Sequence, residues 1–297
     1  MKIDAGVVAV TGASGFIGGY LISDLAKAGY TPVSLSREKN GEQNGGYSYD
    51  GLKRSLQGVD AVVHLAGRRM TREDDPMNLA PFWRPNVAVI ADLVAASRAC
   101  GVRKIILAST IAVYQPSTGA PRREDSPTRP VNAYGLSKLM AEAHLEMLAR
   151  GEGLAAVSLR LAAVYGHGEK GTPALMKFVS QACAGETLIL SGNPAHQIDQ
   201  IYVRDAVSAI VSALRTETLA SVCNVGGGRA HTVAEIAETV NKVFGNVGGI
   251  DYIGQRNELA PRTVMDLSTA NSDMGWSPAY GLYEGLEDFR RTRTGAR

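Results

Sequence analysis

The sequence predicts an α/β fold: a doubly wound parallel sheet followed by a smaller C-terminal lobe. Three observations carry this. Short β-branched runs alternate with helical stretches through the first half of the 297 residues. Several of these runs are apolar throughout, as strands buried on both faces must be. A glycine-rich turn joins the first strand to the first helix.

Strands are expected over 7–10, 32–35, 61–65, 105–107 and 156–160, and helices over 17–28, 87–100 and 134–149. Gly29 and Gly101 follow the first two helices as stops. Alternation of this kind implies right-handed crossovers. After about residue 165 the pattern changes. Thr172-Pro173 reads as the start of a helix ending near Ala184. A strand over 201–203, a helix over 205–214 and a strand over 222–225 follow. Thr232 and Glu235 fit a capping box opening a helix to about Phe244, and a last helix covers 282–291. Residues 1–165 therefore read as a dinucleotide-binding domain to which 199–222 return. Residues 166–198 and 223–297 read as a substrate lobe. The loop 115–132, with Pro116, Pro121, Pro127 and Pro130, reads as a surface excursion or a flap.

Bulk composition excludes several classes. The net charge is +2, so there is no basic stripe for nucleic acid. Apolar residues make up 45% and charged residues 20%, as in an ordinary globule. Cys100, Cys183 and Cys223 lie far apart, giving neither a disulfide framework nor a zinc ribbon. The five histidines show no metal-ligand spacing, so no metal is expected. No apolar run approaches the ~18 residues of a membrane span, and the N-terminal apolar stretch is too short for a signal core. A cytoplasmic protein without a membrane or nucleic-acid partner is expected.

One number is unusual: 33 residues are glycine, about 11% against a usual ~7%. Part of the excess lies in Thr11-Gly-Ala-Ser-Gly-Phe-Ile-Gly18. Gly12 allows a tight turn, Gly15 lets backbone approach a pyrophosphate, and Gly18 permits close helix–strand packing. Phe16 and Ile17 open the helix, whose free N–H groups and dipole favour phosphate. This predicts a Rossmann-type dinucleotide site. At the second strand end, Ser36-Arg37 stands where an NAD site usually carries an acid. Arg37 suits a 2′-phosphate, so NADP(H) is expected over NAD(H). Asp50 is placed either to meet the adenine edge or as a turn residue. Leu65-Ala66-Gly67 gives a small-residue strand end past which a cofactor can run.

Tyr134 and Lys138 stand at i and i+4 on one helix face. A cation beside a phenol stabilises the phenolate, and such a phenol can exchange a proton with a carbinol during hydride transfer. Ser109-Thr110 closes the preceding strand, at the carboxyl edge where open sheets bind ligands. Thr110 can hydrogen-bond the same substrate oxygen.

With these residues in place, the chain resembles the extended short-chain dehydrogenase/reductase family, in its NAD-dependent epimerase/dehydratase branch. The resembling segments are TGASGFIG at 11–18, HLAG at 64–67, STIAVY at 109–114, YGLSK at 134–138, LRLAAVYGHG at 159–168, DQIYVRDA at 199–206 and MGWSP at 274–278. The resemblance implies a catalytic set of Thr110, Tyr134 and Lys138, with Tyr134 as acid/base and Lys138 also holding the nicotinamide ribose. It implies that Asn86 supports the active site, that the C-terminal lobe grips a nucleotide sugar, and that two chains form a homodimer through a four-helix bundle.

Departures from the family pattern narrow the reaction. Dehydratases carry an Asp-Glu pair after the catalytic threonine; here Ile111 and Ala112 stand there, which argues against dehydration. Two diphosphate-contacting positions are Ala163 and Ile198, and losing such a charge-assisted contact costs ~1.5–3 kcal/mol. Arg204 and Arg256 are the candidate replacements, with Arg262 and Arg68-Arg69 as further ones. Three functions follow. The first is an NAD(P)-dependent epimerase or ketoreductase of a sugar, nucleotide-linked. The second is an NADPH-dependent reductase of a small aldehyde or ketone. The third is a non-catalytic dinucleotide sensor.

Overall fold

The computed structural model describes residues 1–35, 47–116, 119–150, 153–171, 174–217, 220–253 and 262–294. Its first layer is built from β1 (Gly6–Thr11), α1 (Phe16–Lys27), β2 (Tyr30–Leu35), α2 (Tyr49–Ser55), β3 (Ala61–His64), α3 (Ala80–Phe82), α4 (Val89–Ala99), β4 (Lys104–Thr110), α5 (Ala133–Ala149) and β5 (Ala155–Leu161). The strands pair in the order β2-β1-β3-β4-β5-β9, where β9 is Val222–Val225, and every pairing is parallel. Connections diverge from β1, to β2 on one side and β3 on the other, which opens a crevice at the strand ends.

Both faces of this sheet are covered, which explains its apolar strands. Val8 and Val10 enter one core with α1 residues Leu21 and Leu25 and α7 (Val203–Arg215) residues Ala206 and Ile210. Ala9, Val62 and Ile105 enter the opposite core with Leu52, Leu93 and Leu145.

Strand β6 (Ala163–Tyr165) leaves this sheet for a second one. Strand β8 (Gln197–Tyr202) is its centre, flanked by β10 (Ala230–Thr232) and β12 (Arg262–Thr263) and pairing also with β6. Strands β7 (Leu188–Ser191) and β11 (Ile250–Ile253) form a separate parallel pair. Helices α6 (Ala174–Cys183), α8 (Val233–Phe244) and α10 (Leu282–Thr294) enclose a third core, with Phe178, Val240 and Phe289 buried. The short α9 (Ser268–Met274) precedes Trp276, whose indole N–H donates to the Ser208 hydroxyl of α7 at 2.8 Å.

The expected boundaries need three corrections. Residues 199–222 do not return to the first layer as a block: β8 stays in the second sheet, and α7 and β9 make the return, so the sixth strand extends to Val225. Val203 opens α7 instead of ending a strand. The helix expected from residue 87 begins earlier, as α3 running into a π-helical turn, Trp83–Ala88, before α4. Pro85 lies in that turn and has no N–H to give an i−4 bond, which the wider turn tolerates. The capping box of Thr232 and Glu235 is formed as expected.

Gly226 and Gly227 pack on a buried carboxylate. Asp199 accepts hydrogen bonds from Gly227 N at 2.7 Å and Met265 N at 3.2 Å. A Cβ on Gly226 would fall 2.6 Å from that carboxylate, and one on Gly227 would fall 2.1 Å from the Gln200 carbonyl. Burial pushes the Asp199 carboxyl up to about 6.

Candidate active site

The glycine turn is shaped as its residues require. Gly12 has φ +69°, and a Cβ there would meet Ala66 N at 2.9 Å. Gly18 sits so close to the turn that a Cβ would fall 2.3 Å from the Gly12 carbonyl. Gly15 caps α1 with no side-chain hydrogen bond and no acid in the first turn. The first N–H groups of α1, including those of Phe16 and Ile17, have no intrahelical acceptor and face the cleft. This cleft measures about 810 Å³; Gly12, Gly15, Phe16, Ile17 and Gly18 form one wall, and Leu65, Gly67, Ala108 and Arg204 line it further on.

Leu65-Ala66-Gly67 continues from β3. Ala66 N donates to Thr11 Oγ1 at 3.2 Å, fixing the strand end against the glycine turn. A Cβ on Gly67 would lie 3.0 Å from Asn86 Oδ1 and 3.4 Å from Lys138 Nζ, so a larger residue would press on both. Asn86, presented by the π-helical turn and 2% exposed, bonds three partners. It accepts from Arg68 N at 2.7 Å and donates to the Arg68 carbonyl at 3.0 Å and Ser137 Oγ at 2.8 Å. The loop after β3 and helix α5 are thereby locked together.

Helix α5 carries the proton chemistry. Asn132 caps it, accepting from Gly135 N at 2.8 Å. Gly135 lets it approach the 110–114 turn, since a Cβ there would sit 2.3 Å from the Ala112 carbonyl. The half-buried Tyr134 phenol then comes to lie beside Thr110. Burial pushes the Tyr134 phenol above its ordinary value, opposed by the neighbouring Thr110 side chain and by the charge of Arg69. One turn on, Lys138 is 6% exposed and donates to the Ala108 carbonyl at 2.8 Å. Burial lowers its ammonium to about 8, against the pull of Glu142 one further turn along. Thr110, Tyr134 and Lys138 are thus brought together next to Gly67 and Ala108, two residues that line the cleft, with Asn86 and Ser137 behind them.

Glu142 anchors this helix to the sheet. Its carboxylate receives the Ser109 hydroxyl and Arg160, with Nη2–Oε2 at 2.7 Å, and both charged side chains are about 5% exposed or less. The Arg160 guanidinium also stacks over Tyr114 at 4.7 Å. Removing one partner of a buried pair strands the other charge. Glu142→Ala should therefore cost about 3–5 kcal/mol in urea unfolding; a loss under about 1 kcal/mol would show the pair to be dispensable.

His64 supports the strand end. Its Nδ1 lies 2.9 Å from Thr11 Oγ1, while its Nε2 is buried without a partner. Burial, with Lys138 nearby, lowers the imidazole to about 3. Its unfolded value is ~6.5, so between those values the unfolded chain binds a proton that the native chain refuses. Stability at this site is complete above pH ~6.5 and falls toward pH 3, by about 2 kcal/mol at pH 5. His64→Asn retains a polar group near Thr11 and should flatten the loss of unfolding free energy between pH 6.5 and 5. An unchanged slope would contradict the assignment.

Other expected residues are placed differently. Asp50 is exposed in the first turn of α2 and does not line this cleft. Arg204 lines the cleft at its α1 end, stacked 5.7 Å over Tyr20, with Nε donating to Asp288 at 2.8 Å. Ser36, Arg37 and Arg256 lie outside the described residues. Arg69, Glu169, His64 and Ser137 were not singled out as site residues from sequence. Arg69 appeared only as one of several cations, and its partner Glu169 is 100 positions away. Among the described residues, no group of three or more His, Cys, Asp or Glu could hold a metal, and no helix is long and apolar enough to cross a membrane.

Comparison with known proteins agrees with this geometry. The chain is 30% identical to a UDP-glucose 4-epimerase of Azospirillum brasilense, over 94% of this chain and 89% of that protein. It superposes on a UDP-N-acetylglucosamine 4-epimerase from Bacillus cereus with a TM-score of 0.85 and 30% identity, covering 98% and 97% of the two chains. MoeE5, solved with UDP-glucuronic acid and NAD, gives a TM-score of 0.84 and 28% identity over 98% and 100%. The sequence profile of the NAD-dependent epimerase/dehydratase family matches residues 8–226. This chain belongs to that family.

Proposed function

We propose that the protein is a nucleotide-sugar 4-epimerase that works with NAD. The observation that carries this is that Thr110, Tyr134 and Lys138 stand together next to Gly67 and Ala108, which line the same cleft as the glycine turn. The cradle fits a dinucleotide: Gly12 and Gly18 leave no room for a Cβ, and the uncapped start of α1 suits a pyrophosphate. NAD is favoured over NADP because MoeE5 holds NAD. The expectation of NADP(H) rested on Arg37, outside the described residues. The 4-epimerase reading follows the relatives' reaction and the absence of an acid pair at Ile111-Ala112.

Thr110 and Tyr134 hydrogen-bond the reacting sugar oxygen. Tyr134, as phenolate beside the Lys138 cation, takes the hydroxyl proton and later returns it. Bound NAD supplies the hydride acceptor and donor. Lys138 holds the phenolate and, by its place below Gly67, the ribose. Asn86 fixes the backbone of Arg68 and the start of α5, so the donors stay aligned.

Position 198 bears on the substrate. Ile198 packs against the core of the second lobe, and Ala163 is equally apolar, so neither offers a charge to a diphosphate. Arg262 has a buried Nε without a partner and lines, with Arg229 and Gln197, a pocket of about 490 Å³. We take these guanidinium groups, with Arg256 and Arg204, as the replacements. Ala163 and Ile198 also motivate the second reading, reduction of a small non-nucleotide carbonyl. The test is to incubate purified protein, without added cofactor, with UDP-glucose, UDP-N-acetylglucosamine and UDP-glucuronic acid, and to read C4 inversion by NMR. Inversion of at least one supports the proposal. No inversion, with NADPH-dependent reduction of a simple aldehyde, supports the second reading.

Helix α5, which packs beside α4, leaves Leu136 and Met147 exposed at 39% and 57%. We place the homodimer face there; a monomer mass in sedimentation at micromolar concentration would contradict it.

A further inference from the structure

The two walls of the cleft are joined by one ion pair. Arg69 stands on the loop after β3, and Glu169 on the loop after β6. The guanidinium grips the carboxylate with both arms, Nη1–Oε2 at 2.8 Å and Nη2–Oε1 at 2.6 Å. Glu169 is fixed: its side chain is 1% exposed and also accepts from Gly171 N. Arg69 is 59% exposed. The loop carrying Glu169 is tied to α1, with the Tyr20 hydroxyl donating to the His167 carbonyl at 3.2 Å. Gly166 and Gly168 both abut Phe16. Arg69, Glu169, Gly12, Gly15, Gly67 and Ala108 all line the same cleft.

We propose that Arg69 and Glu169 form a clamp that retains the dinucleotide. This rests on the reading of the cleft as an NAD site. A dinucleotide running from the start of α1 to Lys138 passes between the two loops that the pair connects. Its release requires them to part. Parting them leaves a carboxylate buried without its cation, which makes this pair costlier to open than an exposed one. The arrangement suits an epimerase, which returns the hydride to the same substrate and has no need to exchange its cofactor.

The test is the release rate of NADH. Cofactor-free wild type, Arg69→Ala, Glu169→Gln, the double variant and Arg69→Lys are loaded with NADH and chased with excess NAD, and the loss of NADH fluorescence is followed. Arg69→Ala and Glu169→Gln should each speed release by about tenfold or more, and the double variant should release no faster than the faster single one. Arg69→Lys, with a charge but no fork, should fall between wild type and Arg69→Ala. Arg69→Ala removes a largely exposed side chain, so it keeps the test valid even if Glu169→Gln folds poorly. Release from Arg69→Ala within about twofold of wild type overturns the clamp, even if its melting temperature drops, because a mere strut between lobes would do that. Wild type that takes up no NADH overturns the cofactor reading and the clamp together. Wild type that holds NADH while Arg69→Ala releases it equally slowly overturns the clamp alone.

Discussion

Tyr134→Phe is expected to lower kcat for C4 inversion by about 10²–10⁴-fold. The substitution deletes one oxygen and keeps the ring, which packs 6.3 Å from Phe82. Substrate and cofactor binding should therefore change little, and the loss should appear in kcat, with KM nearly constant. The wild-type rate should fall as pH drops through the range where the phenolate is protonated. Burial pushes that range up, while Thr110 and Arg69 pull it down. Retention of kcat within about tenfold of wild type would remove Tyr134 from the proton path.

Gly18→Ala should abolish tight cofactor binding, raising Kd by about 100-fold or more, some 2.7 kcal/mol. The added methyl would meet the Gly12 carbonyl at 2.3 Å and Ala13 Cα at 2.7 Å. Both are backbone atoms of the turn itself, so neither can swing aside. Helix α1 must tilt away from β1, and its first N–H groups leave the position where the pyrophosphate sits. Some stability is lost too, about 1–3 kcal/mol as for other overpacked sites. Calorimetric titration with NAD measures the affinity directly. A Kd within about threefold of wild type would show that the turn does not hold the phosphates.

The legibility of this fold follows from the range of the contacts involved. The first five strands are marked by local signals, apolar runs bounded by glycine, and all five appear near the expected places. Tyr134 and Lys138 are legible for the same reason, because i and i+4 share a helix face. Thr110 follows once the strand end is located. What was not legible depends on distant partners. β7 and β11 are four-residue strands that pair across some 60 positions. Gly226 and Gly227 make sense only beside the Asp199 carboxylate. The π-helical turn that presents Asn86 looks, by periodicity, like an ordinary helix. Glu142, four residues past Lys138, could have been read as part of the same helix stripe. Its partner Arg160, from β5, shows why it is buried.

The central claim is that hydride leaves C4 of a nucleotide sugar and returns to the same molecule while Tyr134 handles the proton. The direct measurement uses a UDP-hexose that the protein inverts, deuterated at C4, with the protein's own cofactor alone. The account predicts that both C4 epimers accumulate with the deuterium still at C4 and with no net change in nicotinamide absorbance at 340 nm. Loss of the label from C4, or conversion only in step with consumption of added NADH or NADPH, would contradict it.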